Sequence, residues 1–383
     1  MKGKKLFALL LVVFIVFSLV ACSEDDDDPI TPSPSESNIY LQLGDEITTI
    51  NLNDYPKQNQ DGSSIVTLGD LITEEITSGL FSDMETGTRQ HTLFRFHAED
   101  GFTPISRGRA DLNWNSFKQG VIAVESHNTI YPAELELPGA YNTNALETIE
   151  VLPKFRVIVG DSTFWIDPGL LENEVIEENE EVVDILASMS DLVPDSFVSY
   201  LFTGADSETL RDLFVYRFNA VDGFSPYNRG REDLTWDNFS QGTLSVLTRD
   251  ANYPPELGLP GAYNTGDLAQ ITLNRKLDID IDGELSFVCF DSLEATTHDF
   301  GEGEIEVINL SDFVPEDYRN DSYYFSFDGK GREEAETPLV SWETLQESYY
   351  KLDSQRTWFG DGDPFSDDAY GIRYISQLRI VAR

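Results

Sequence analysis

Residues 95–149 align without a gap on residues 217–271, at a constant offset of 122 that sets Trp114 against Trp236. FRFHAEDGFTPISRGRADLNWNSFKQG recurs as YRFNAVDGFSPYNRGREDLTWDNFSQG, and YPAELELPGAYNT as YPPELGLPGAYNT, with about half of all positions identical, so this is a duplication. A third, divergent copy follows as YYFSFDGKGRE, SWETLQESYY and AYGIRYISQLRIV. The segments GDLITEE, SDLVPDS and SDFVPED begin at Gly69, Ser190 and Ser311, 121 residues apart each time. A period this long exceeds the roughly 20–50 residues of solenoid repeats, so each copy is expected to own a core. The expected boundaries are 38–153, 154–275 and 276–383. QITLNRKLDIDI, which closes the second copy, runs straight toward the first strand of the third, which suggests units joined end to end in a rod.

Within a copy the signals are mostly strand. FRVIV (155–159), LFVYRFNAV (213–221) and LDIDID (277–282) are rich in β-branched and aromatic residues or alternate with a period of two. Gly44-Asp45, Gly160-Asp161 and Asp282-Gly283 supply the positive φ that tight hairpins need. One short helix per copy is expected at Trp114, Trp236 and Trp342, each preceded by an N-cap type (Asn113, Thr235, Ser341), with Gly120 and Gly242 ending it in two copies. A second helical turn is expected at the Ser-Asp-Leu-Val-Pro segment. The expected fold is mainly β with minor α: three tandem homologous β-sandwich-like domains.

Ahead of the repeats, Lys2, Lys4 and Lys5 precede an apolar run from Leu6 to Phe17 and then Leu19-Val20-Ala21-Cys22. The run falls short of the roughly 20 residues of a spanning helix and reads as a signal peptide over 1–21. Leu19–Cys22 resembles the lipobox of bacterial lipoproteins, which implies lipidation at Cys22 and a mature chain beginning there. Ser23-Glu24-Asp25-Asp26-Asp27-Asp28 is similar to the acidic export signal of surface lipoproteins in some Gram-negative bacteria, and no Asp directly follows Cys22. The resemblance implies an outer-membrane protein facing outward on an acidic, Pro/Ser-rich tether over 22–37. Loss of 1–21 removes three lysines and no acid, taking the net charge from −43 to −46. Such a body meets the membrane only through its lipid, and a nucleic acid would be repelled.

Ile65 to Leu71, the strands ending in Asp100-Gly101-Phe102 and Asp222-Gly223-Phe224, and the Pro-Gly-x-Tyr segments at Pro138 and Pro260 together resemble the sulfite-oxidase-like molybdopterin-binding domain. That family implies a metal held by a cysteine thiolate. The first copy contains no cysteine, and Cys289 in the strand LSFVCFDS has no cysteine counterpart in the other copies, so the catalytic half of the resemblance fails and no molybdopterin is expected.

Arg107, Arg109, Arg229 and Arg231 stand out in an acidic chain as candidates for gripping a carboxylate, sulfate or sugar acid. The structural alternative pairs them with Asp100, Asp111, Asp222 and Asp233, acids that travel with them in both copies. Asp278-x-Asp280-x-Asp282-Gly283 imitates the start of a calcium loop, but its twelfth position is Cys289, and strand alternation explains it better. Asp361, Asp363, Asp367 and Asp368, on a Gly-containing loop, form the chain's candidate calcium site. Tyr131, Tyr141, Tyr253, Tyr263 and Trp358 are either sugar-stacking loop aromatics or packing residues. No G-x-S-x-G, H-E-x-x-H or P-loop occurs, and the four histidines share no motif spacing. The expected function is non-catalytic: a lipid-anchored surface binding or adhesion protein with an extracellular or periplasmic ligand of unknown kind. A redox accessory or enzyme derived from the molybdopterin fold, and a carbohydrate-binding lipoprotein, are the alternatives; elemental analysis separates the former and a glycan array the latter.

Overall fold

A computed structural model describes residues 37–383 except 82–83, 85, 179–180, 203–206, 302, 331–333 and 360–370. The signal segment, Cys22, almost all of the tether and the candidate calcium ligands Asp361, Asp363, Asp367 and Asp368 lie outside the described residues. The rest is mainly β, 43% strand against 23% helix, so its stability rests on sheets packing through their apolar faces.

Five strands form the first large sheet, in the order Glu46–Asn51, Asn38–Leu43, Leu146–Pro153, Thr92–Ala98, Leu112–Asn113. Asn38–Leu43 runs parallel to Leu146–Pro153, and the other neighbours are antiparallel. A smaller sheet contains Gln58–Gln60, Ser63–Thr67, Val121–Ala123 and Thr129–Ile130. The same pairing plan returns with Phe155–Val159 parallel to Leu268–Ile281, which in turn pairs with Phe214–Ala220, beside a four-stranded sheet of Asn173–Glu178, Glu181–Ser188, Thr243–Ser245 and Ala251–Asn252. It returns once more with Leu268–Ile281 parallel to Ile375–Ala382, which pairs with Tyr323–Lys330, beside Thr296–Asp299, Glu304–Asn309, Ser348–Lys351 and Arg356–Phe359. Register repeats as well: Phe96 faces Ile149, Phe218 faces Ile271 and Phe327 faces Leu378, each one or two residues before a bulge. Leu268–Ile281 belongs to both later sets, pairing with Phe214–Ala220 up to Arg275 and with Glu284–Cys289 from Lys276 onward. The two later large sheets therefore merge into one of ten strands.

Each opening hairpin turns at the dipeptide the sequence indicates. Gly44 and Gly160 have φ of 57° and 55°, and Asp282-Gly283 is left-handed at both residues. Alternation then decides which face is buried: Phe155, Val157 and Val159 point inward while Arg156 and Ile158 are less buried. Separate apolar clusters gather the inward residues of each large sheet with those of its smaller one. Ile39, Phe94, Phe96 and Ile149 meet Val66 and Ile122; Phe155, Phe218 and Ile271 meet Leu244; Leu277, Phe325 and Leu378 meet Ile308. A smaller cluster of Ile105, Ile185, Ala187 and Val246 lies where the first set of sheets abuts the second.

The short helices form at Trp114–Phe117, Trp236–Phe239 and Trp342–Gln346. Asn113 and Ser341 accept from the N–H groups of Ser116 and Thr344, whereas Thr235 makes no side-chain cap. The deepest side chain is not the tryptophan but the apolar residue three positions on: Phe117, Phe239 and Leu345 are wholly buried, while Trp236 and Trp342 keep an exposed edge. Phe117 stacks on Phe94 at 3.9 Å and Phe239 on Tyr216 at 4.2 Å, so the aromatic stack is itself repeated.

Gly120 and Gly242 serve a different purpose from the expected helix ends. Neither has a left-handed φ, but a Cβ on Gly120 would lie 2.5 Å from the Tyr131 ring and one on Gly242 2.6 Å from the Tyr253 ring. Both tyrosines are buried and cannot swing aside. Gly242→Ala should therefore cost about 1–3 kcal/mol of stability by overpacking. Chemical denaturation measures this, and a loss below about 0.5 kcal/mol would show that the tyrosine yields.

Candidate functional site

A buried cluster of charge gathers around Arg95. Phe94 and Phe96 point into the core, which places Arg95 on the opposite face of its strand, yet only 7% of it is exposed. Its Nε and Nη2 donate to the two carboxylate oxygens of Asp111 at 2.9 and 3.0 Å. Nη1 and Nη2 also donate to the carbonyls of Leu247 and Val246 at 3.0 and 3.2 Å, far along the chain in the second set of sheets. Glu150, opposite Arg95 in register, approaches Nη1 at 3.6 Å and pairs with His97 Nε2 at 2.9 Å. Burial alone would raise the Glu150 carboxyl, but the His97 hydrogen bond and the Arg95, His97 and Arg249 charges outweigh it and hold it low.

Arg249 enters this junction from the second set, on a turn with φ 59°. Burial pulls its guanidinium below the usual value, against the charges of Asp111, Glu150 and Asp167. Asp167 is pushed up to about 6 by burial and by Asp111. A carboxyl raised in the folded state stabilises fully below its unfolded value near 4, and that contribution is lost as pH climbs through about 6. Asp167→Asn should accordingly raise stability above pH 7 by on the order of 1–3 kcal/mol and have little effect near pH 4. Thermal melts across pH 4–8 check this; an equal gain at both ends would locate the effect elsewhere.

At the second junction the pair recurs in looser form. Arg217 donates to Asp233 at 2.8–3.1 Å, with its side chain 23% exposed, and lies over the Tyr227 ring at 3.7 Å. Arg275 joins the flanking elements by donating to the Tyr350 hydroxyl, to Gln355 Oε1 and to the Ile375 carbonyl, with its guanidinium 4.3 Å over Phe290. A cleft of about 420 Å³ opens beside it, walled by Leu201, Phe202, Phe214 and Phe290. In the third set Ser326 holds the register position of Arg95 and Arg217, so the device stops at the last unit.

The four arginines singled out in the sequence behave otherwise. Arg107, Arg109, Arg229 and Arg231 are exposed beside the turns Pro104–Arg107 and Tyr227–Arg229, and none forms an ion pair among the described residues. Their expected partners are engaged elsewhere. Asp111 and Asp233 bind Arg95 and Arg217, while Asp100 and Asp222 accept from the N–H groups of Phe102 and Phe224. Neither a closed salt-bridge clamp nor a shared pocket results.

Tyr131, Tyr141, Tyr253 and Tyr263 are buried in the apolar clusters, and the hydroxyls of Tyr141 and Tyr263 donate to the carbonyls of Ala110 and Glu232. Of the two readings, packing holds for these four: their rings face the core. Cys289 is half-buried, and burial with the nearby Asp291 and Asp233 pushes its thiol up to about 12. Leu277 and Ile279 point inward as alternation requires, and among the described residues no cluster of three or more His, Cys, Asp or Glu is arranged to hold a metal.

Trp358 has a different setting. It sits half-buried on the outer face of the third small sheet, directly opposite Tyr349 in register. His298 stacks on Tyr349 at 4.4 Å, and Phe300 meets Trp358 edge-on at 5.0 Å. Lys351 Nζ lies 3.8 Å over the Phe300 ring. This cluster covers Val307, which is buried outside the core proper. Tyr349 and Phe300 gave no sequence signal, because alternation within a four-residue strand is too short to assign a face.

No family model, curated protein or solved structure matches the chain.

Proposed function

We propose that the protein is a non-catalytic, lipid-anchored binding protein of a bacterial cell surface, built from three tandem homologous β-sandwich-like domains over 38–153, 154–275 and 276–383. The recurring pairing plan, the bulges at matching positions and the repeated Phe–aromatic stack support the homology. The Arg95 hydrogen bonds to the Val246 and Leu247 carbonyls, and the Arg217–Asp291 ion pair at 3.9 Å, support units fixed to one another, as a display stalk requires. The lipobox at Cys22 and the acidic tether support anchoring through lipid with the body held away from the membrane. The observation that carries the binding role is the half-buried aromatic cluster on the outer face of the third domain, the one farthest along the chain from the anchor. An oxidoreductase ancestry finds no support at Cys289, which has no cysteine counterpart in the other copies.

Localisation tests the proposal. Cys22→Ala should release or mislocalise the protein, and protease added to intact cells should shave the wild type. A wild type that is soluble and untouched by external protease would contradict both anchoring and display.

A further inference from the structure

We infer that the outer face of the third small sheet is a stacking platform for neutral hexose oligosaccharides, with Tyr349 and Trp358 as its floor and His298 and Phe300 beside them. The inference rests on the binding role proposed above and assigns it a ligand class. Its first support is the internal comparison the repeat provides. The register places Tyr349 and Trp358 where the second set of sheets has Thr243 and Asn252 and the first has Val121 and Ile130. His298 likewise stands where the others have Ile176 and Gln60. Residues the fold itself needs recur in this chain, as Phe117 and Phe239 do; an aromatic face found in one set only is not required by the shared architecture.

Size and charge select the ligand. An aromatic side chain presents about 150–250 Å² in full, so four rings that are each less than about a third exposed offer on the order of 100–350 Å² together. A standard protein partner needs about 800 Å² on each side, whereas a few sugar rings fit this area. Pyranose rings offer one apolar C–H face to an aromatic ring and hydroxyls at their edge. The rim here carries matching groups: the Lys351 ammonium and the His298 ring nitrogens. A net charge of −43 disfavours sulfated or uronic-acid polymers, which leaves neutral sugars.

Titration of the mature chain from Ser23 onward with gluco-, galacto- and manno-hexaoses, followed by calorimetry, tests this. Saturable binding with a Kd between about 10 μM and 1 mM is expected for at least one of them. Trp358→Ala and Tyr349→Ala should each weaken it by roughly tenfold or more, Tyr349→Phe by less than about threefold, and Ile130→Ala, at the matching position of the first set, not at all. If the alanine variants fail to fold, hydrogen exchange on the wild type decides, with sugar expected to slow the amides of Ser348–Lys351 and Arg356–Phe359. The inference is overturned if no hexaose saturates, if binding or protection lies away from these strands, or if only choline binds, which would make the cluster a cage for a cation. Failure of sugar binding with normal surface shaving sinks the ligand class alone, whereas mislocalisation of the wild type with sugar binding intact sinks the display role.

Discussion

Arg95→Ala should destabilise the protein by about 3–5 kcal/mol, because it strands the buried carboxylate of Asp111 and takes one of the cations from Glu150. The cost comes less from the lost attraction than from leaving buried charge and two carbonyls, those of Val246 and Leu247, without their donor. Arg95→Met combined with Asp111→Leu should therefore recover much of the loss, since removing both charges removes the desolvation problem. The copied pair provides an internal control. Arg217 is more exposed and water screens it from Asp233, so Arg217→Ala should cost clearly less than Arg95→Ala. Urea denaturation of the three variants measures all of this. Equal losses at Arg95 and Arg217 would mean that the junction's burial does not govern the energetics.

Phe117→Ala should cost a further-reaching 3–5 kcal/mol or about that much. The ring is fully buried against Phe94 at 3.9 Å and has Phe96, Trp114 and Tyr131 in its cluster, and so crowded a site cannot collapse onto the space left behind. Trp236, the residue the sequence alone nominates as core anchor, should be less costly to truncate than Phe239. Its ring lies at the edge of the cluster, under the Arg211 guanidinium at 4.1 Å, where part of its surface already meets water.

Much of the architecture was legible in the sequence because duplication repeats every structural demand. The hairpin dipeptides, the Trp-led helical turns and the inward alternation of Leu277 and Ile279 stand where their residue types place them. Sequence failed where side-chain depth depends on what arrives from afar. Arg95 could have been suspected as a charge repeated between two core aromatics, FRF and YRF, but its partners at 246 and 247 belong to a distant turn. Gly120 and Gly242 looked like helix ends because the ring pressing on each comes from a loop eleven residues later. The four loop tyrosines stayed open between stacking and packing in the sequence, because Pro- and Gly-rich surroundings signal a loop without saying which way its aromatic turns, and packing is the outcome.

Hydrogen exchange across the whole chain, wild type against Phe117→Ala, tests most directly whether the protein is three tandem units with cores of their own. Every buried residue of the cluster around Phe117 lies between Ile39 and Val151. Independent cores predict faster exchange confined to residues 38–153, with Phe155–Val159, Phe214–Ala220 and Tyr323–Lys330 keeping their wild-type protection. Uniform acceleration through all three stretches would contradict the tandem organisation and show one core that unfolds as a whole.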